Sequence, residues 1–227
     1  MGAKKRRPAN AKDLPSVPGT EVTSVKRVHI TPPNMKFVRT RIVGTSPLVM
    51  CKFSEKAKEE IMHTQSEGSV AKNKKTRSKK DFKQLYEDAK HVSTDGWCGF
   101  PANGLRAAMI RACKLVGYEM TMGKMSIFVE GDGYESDGSP LVKIVGKDRM
   151  VTHYVRIKST VDVRSRPMWD KWYADVVLQY DADQFNESDV INLLSRAGIQ
   201  VGICEGRPFS KDSTGMGWGT FKVEGAD

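Results

Sequence analysis

The sequence predicts an α+β fold built on an antiparallel sheet. Two observations carry that expectation. Several stretches alternate apolar and polar residues, the period of a half-buried strand, while others repeat apolar residues every three to four, the period of a helix. Their order is strand, helix, hairpin, strand, helix, strand, with turn residues between.

Residues 1–34 read as a basic flexible arm. Pro8, Pro15, Pro18, Pro32 and Pro33 break any helix, and Lys4–Arg7 form a cationic cluster. A strand is expected over Lys36–Val43, with Val38, Thr40 and Ile42 on one face and Phe37, Arg39 and Arg41 on the other. Gly44-Thr45-Ser46-Pro47 ends it. Ser54–His63 reads as a helix with Ser54 as its cap, followed by an inserted basic loop, Lys72–Lys80. A short amphipathic helix spans Asp81–Val92.

Asn103–Val116 is the clearest helix. Leu105, Ala108, Met109, Ala112 and Val116 form its apolar stripe, Asn103 can cap it, and Gly117 stops it. Met125, Ile127 and Val129 suggest a strand, and Gly131–Gly138 an acidic turn without the register of a calcium loop. Leu141–Val145 and Val151–Ile157 read as a long hairpin across Gly146-Lys147-Asp148, and Val161–Trp172 as a polar bend. Tyr173–Tyr180 is a strand, Asn186–Ala197 a helix ended by Gly198, Ile199–Cys204 a short strand, and Trp218–Val223 the last strand. This order suits a ferredoxin-like or RRM-like sandwich. It makes residues 35–227 one domain, with insertions at about 64–80 and 119–170.

Charge is unevenly placed. The net formal charge is +10, yet residues 1–80 carry 19 Lys/Arg against 6 Asp/Glu, and the remainder is slightly acidic. Concentrated positive charge attracts a polyanion through Coulomb forces and counterion release. A solubilising tail on a near-neutral domain is the alternative. Cys51, Cys98, Cys113 and Cys204 form no CxxC pair, and His29, His63, His91 and His153 stand apart, so neither a metal nor another cofactor is expected. No apolar run reaches the roughly 18–20 residues that span a bilayer. The start, MGAKKRRP, lacks a signal-peptide core, which fits a cytoplasmic location.

Catalytic signatures are missing: no GxSxG, no phosphate-binding GxxxxGK[ST], no dinucleotide fingerprint. No enzyme activity is expected. Asp181 and Asp183 follow a strand end and read better as turn acids than as metal ligands. The glycine-punctuated segment Gly202–Phe221 carries Arg207, Ser210, Lys211, Ser213 and Thr214 among its glycines. Such a loop can cradle phosphates with amides and cations, or simply turn tightly between strands.

Three stretches carry a likeness to a known family: Ile42-Val-Gly-Thr-Ser-Pro-Leu48, Phe100-Pro-Ala-Asn-Gly-Leu-Arg-Ala-Ala-Met109 and Gly202–Phe221. The first resembles a strand running into a G-x-S-P-L turn, the second the P-x-S-x-L-K/R-G-x-L-R entry to the first core helix, and the third a terminal glycine-rich loop. These are features of the RAMP superfamily, the RRM-like backbone subunits of CRISPR effector complexes. The second stretch departs from the pattern, with Asn103-Gly104 where Ser/Thr-Ser is usual and Ala107-Ala108 in place of the later glycine. A phage-encoded relative with another task resembles the pattern equally. The likeness implies one RNA or DNA strand held along a face by backbone contacts, and copies assembled head to tail.

The expected function is therefore single-stranded nucleic-acid binding. Phe37 and Trp169 are the expected base stackers. Arg39 and Arg41 would reach the ligand from the sheet, and Lys72, Lys74, Lys75, Arg77, Lys79 and Lys80 would track phosphates. Arg106, Arg164, Arg166, Arg207 and Lys211 would line the groove. The rival readings are a structural or assembly protein, such as a phage component, and a metal-dependent nuclease.

Overall fold

The computed structural model describes residues 30–53, 55–66, 80–157, 160–210 and 215–225. The chain separates into two units, Met1–Pro32 and Pro33–Asp227, and the architecture below is that of the second.

The fold is α+β with antiparallel sheets. Its main sheet joins β1 (Met35–Gly44), β4 (Ile127–Val129), β9 (Tyr173–Asp181) and β10 (Phe221–Val223) in the order β10-β1-β9-β4. Every neighbouring pair is antiparallel. Two connections cross one face: β1 reaches β4 through helix α3 (Ala102–Cys113), and β9 reaches β10 through helix α5 (Glu187–Arg196). Alternation along β1 and β9 explains that face. Val38, Ile42, Ala174, Val176, Leu178 and Tyr180 point inward and pack with Leu105 and Met109 of α3 and Val190 and Leu194 of α5.

Two further sheets stand beside the first. One is β2 (Leu48–Val49), β7 (Asp148–Ile157) and β8 (Thr160–Trp169), ordered β2-β8-β7. The other is β3 (Gly99–Pro101), β5 (Gly133–Tyr134) and β6 (Pro140–Lys143), ordered β3-β6-β5. Helix α1 (Glu55–Ser66) follows β2, and α2 (Phe82–Asp88) packs on β8. Asp81 caps α2 by accepting from the N–H groups of Lys83 and Gln84. A short helix, α4 (Met120–Ser126), leads into β4.

The long hairpin exists with a different partner from the one expected. Val151–Ile157 lies in β7, but β7 pairs with β8, from Asp148↔Trp169 to Ile157↔Thr160. Leu141–Val145 pairs instead with β3 and β5, and Val145 bridges to Tyr173. The stretch expected as a polar bend is thus a strand. Ser165, Arg166, Pro167, Met168 and Trp169 are all buried, so both faces are covered and no alternation marks them.

The expected strand at 199–204 is also replaced. Helix α5 continues as a π-helical turn over Ala197–Val201. Gly198 does not end the helix; it lets the turn lie against β10, where a Cβ would stand 2.3 Å from the Phe221 carbonyl oxygen. The other end of α5 is as expected: Asn186 accepts from the Asp189 N–H at 2.8 Å in a capping box. The proposed cap Ser54 lies outside the described residues. Among the described residues, no helix is long and apolar enough to cross a membrane.

Candidate nucleic-acid interface

A groove runs between the first turns of α3 and the segment Gly202–Ser210. It comprises two adjoining cavities of about 340 and 380 Å³ that share Gly104, Ile203, Cys204 and Arg207. Each is the size of a small-ligand site, which starts at roughly 300 Å³.

One wall is a helix start with no side chain on it. Asn103 is not the cap, because Pro101 holds that position with φ −60° and the helix begins at Ala102. Pro101 offers no side-chain acceptor, so no cap side chain covers the first-turn N–H groups beside the cavity. Their partial positive charge favours an anion.

The opposite wall is the glycine-punctuated loop. The Glu205 N–H donates to the Val49 carbonyl at 2.9 Å, tying the loop to β2. Gly206 has φ +72°, and a Cβ there would lie 2.5 Å from the Trp218 ring, so only glycine fits. Cys204 is the one described non-glycine residue with positive φ, at 62°, which concentrates backbone strain where the two cavities meet. Burial pushes its thiol up to about 12.

Two arginines line this groove. Arg207 donates from Nη1 to the Cys204 carbonyl at 2.9 Å and forms no ion pair with a described residue. Arg111, about two turns past Gly104 on α3, lies 4.8 Å over the Phe209 ring in the second cavity. In the first cavity, His91 is held by Glu135, to which its Nδ1 donates at 3.0 Å. Glu135 is 4 % exposed, and its other oxygen lies 3.0 Å from Lys52 Nζ. Glu205 also lines the first cavity, and its carboxylate accepts from Arg166 Nε at 2.8 Å.

The residues expected to bind do not all converge on this groove. Arg207 does. Phe37, Arg39 and Arg41 share the open face of the main sheet, as their alternation requires. Phe37 is 55 % exposed and Arg39 makes no ion pair with a described residue. Phe128 stands on the same face, since Phe37 and Phe128 both register with Gln179. Arg41 is engaged. Its Nε donates to Asp175 at 2.7 Å and its Nη2 at 3.1 Å, and it lies 4.6 Å over the Tyr173 ring. The guanidinium in turn holds the Asp175 carboxyl below the usual range.

Several expected ligand contacts are structural instead. Trp169 is 2 % exposed and presents no ring face to a base. Arg166 is 8 % exposed and bonded to Glu205, so it offers no donor to a strand from the groove wall. Arg164 pairs with Asp162 at 3.2 Å, and Lys80 donates to the same carboxylate and to the Val163 carbonyl. Arg106 donates from Nε to the Ile127 carbonyl at 2.7 Å and also to the Lys124 carbonyl, fastening α3 to the start of β4. Lys72, Lys74, Lys75, Arg77, Lys79 and Lys211 lie outside the described residues. Asp181 and Asp183 close the turn after β9, where Asp181 Oδ1 accepts from the Asp183 N–H at 3.0 Å.

Sequence reasoning missed the α3 first-turn amides, Arg111, His91 and Glu205. Pro101 directly before the helix was the available signal for the first. No family model matches this sequence, and no curated protein matches it either.

Proposed function

We propose that this chain binds a single strand of RNA or DNA, mainly through its sugar–phosphate backbone, in the groove between α3 and the glycine-punctuated loop. The observation that carries this reading is the meeting of two cavities at Arg207, beside the uncapped start of α3. An anion there gains both amide donors and a guanidinium that pairs with no described acid. Arg111 on Phe209 extends the cationic wall by about two helical turns, which suits a ligand with repeating charges. Phe37 and Arg39 on the open sheet face offer a second contact surface for exposed bases.

The same reading takes the β10-β1-β9-β4 order with α3 and α5 on one face as a ferredoxin-like, RRM-like core. The β7–β8 hairpin and the small β3-β6-β5 sheet are then insertions. It places the chain near the RAMP superfamily, with copies assembling head to tail along the strand in the cytoplasm.

The test is fluorescence anisotropy with labelled single- and double-stranded RNA and DNA across a salt series, with and without magnesium. Tight binding to single strands, weakened by Arg207→Gln with a salt slope shallower by about 0.7, supports the reading. Oligomers that form without nucleic acid and fail to protect it from nuclease point to an assembly protein instead. Cleavage abolished by chelator points to a metal-dependent nuclease.

A further inference from the structure

An acid in an anion-binding groove is a paradox that the hairpin resolves. Glu205 lines the first cavity two residues from Arg207, where its charge opposes any phosphate. Its side chain is 19 % exposed, so water screens it poorly. It also meets β7 and β8, whose contacting residues do not line the cavity. Arg166 of β8, with 9 % of its side chain exposed, donates from Nε to Oε2 at 2.8 Å, and His153 Nε2 of β7 lies 3.8 Å from Oε1. The His153 ring packs edge-on to Trp218 at 5.5 Å, and Trp218 fills the space over Gly206. The hairpin therefore holds the loop at Glu205 and, through Trp218, at Gly206. Cys51 lines the same cavity; burial first, and then Glu205, pushes its thiol up, while Arg166 opposes Glu205 there.

We infer that Arg166 is a positioning residue for the nucleic-acid backbone: it does not touch the strand but cancels Glu205, so that Arg207 and the α3 amides set the sign of the groove. The inference rests on the binding reading above. It turns a residue expected to contact phosphate into one that acts through another side chain. It also assigns the β7–β8 hairpin a part in affinity, since the cation that makes the groove attractive is supplied from outside it.

The experiment is a double-mutant cycle, read by anisotropy with a labelled single-stranded oligonucleotide at about pH 8, well above the ordinary carboxylate range. Arg166→Gln bares the carboxylate and lowers affinity on the order of ten-fold. Glu205→Gln alone leaves Arg166 unbalanced and raises affinity. The double variant returns to within about three-fold of wild type, and Arg166→Lys keeps most of the affinity. A purely structural Arg166 gives a different pattern: the double variant binds no better than Arg166→Gln, and Glu205→Gln binds more weakly than wild type. Either result overturns the inference while Arg207→Gln still reports on the binding reading. Should Arg166→Gln fail to fold, Glu205→Gln and Arg166→Lys decide the matter. A wild-type protein that binds no strand overturns both proposals.

Discussion

Gly44→Ala tests how the core closes around Trp172. A Cβ at position 44 would stand 2.2 Å from Trp172 Nε1 and 2.5 Å from the nearest ring carbon. Ordinary contact begins at 3.4 Å, so the indole must retreat by about 1 Å. It has nowhere to go. Trp172 is 3 % exposed, its ring N–H donates to the Ser46 carbonyl at 2.9 Å, and it meets Phe100 at 6.4 Å and Phe221 at 6.2 Å, both edge-on. The hydrogen bond contributes about 1 kcal/mol and each ring contact about 0.5–1.5 kcal/mol. Overpacking a filled core costs about 1–3 kcal/mol. The terms overlap, and a loss of about 3–5 kcal/mol is expected. For a chain of this size that lowers Tm by roughly 6–20 °C. Thermal and urea melts followed by circular dichroism measure it. Gly104→Ala is the internal control, because a Cβ there meets nothing within 4 Å on a helix, and it should gain about 0.5–1 kcal/mol. A Gly44→Ala protein melting within about 2 °C of wild type refutes the packing argument.

Gly104→Ala should also weaken oligonucleotide binding several-fold, since its methyl group enters the groove shared by both cavities; unchanged anisotropy would move the ligand elsewhere. Trp169→Ala should cost about 3–5 kcal/mol, whereas Phe37→Ala should shift stability by no more than about 0.5 kcal/mol, both read from urea midpoints. Burial pushes Asp148 up, but hydrogen bonds from Tyr86, at 2.5 Å, and from Lys90 outweigh it and hold the carboxyl below its ordinary range. Its folded pKa is therefore below its unfolded one, so the contribution is complete above about pH 4 and is lost as pH falls through the folded value. Asp148→Asn should flatten the decline of stability between about pH 5 and pH 2, and equal slopes would exclude this carboxyl as a source of it.

Parts of the fold were legible because the physics was local. The two faces of β1 followed from alternation alone, with Val38 and Ile42 inward and Phe37 and Arg39 outward. The start of α5 followed from the helical spacing of Val190, Ile191 and Leu194 after Asn186. Strand partners were not legible in the same way. Leu141–Val145 and Val151–Ile157 are neighbours in sequence, yet each found a partner elsewhere, which only tertiary packing decides. Arg166 and Trp169 looked like groove residues because their strand, buried on both faces, carries no period. The groove was half legible. Arg207 and the glycines marked one wall, but the other includes a helix start without a side-chain cap, whose main-chain amides every sequence contains and none displays.

The sheet order has a consequence for how the chain reaches its native state. β10 supplies only Phe221–Val223, yet it seals one edge of β1, and Thr45 is held by Thr220 across 175 positions. During synthesis β1 is made well before β10, and its edge stays unpaired until residues 221–223 emerge. Closure over so long a loop is slow, and the waiting edge is open to a strand from another nascent chain. Val223 registers with Ile42 and Phe221 lies against Gly198, so a chain cut just before residue 221 would lose both contacts with the core.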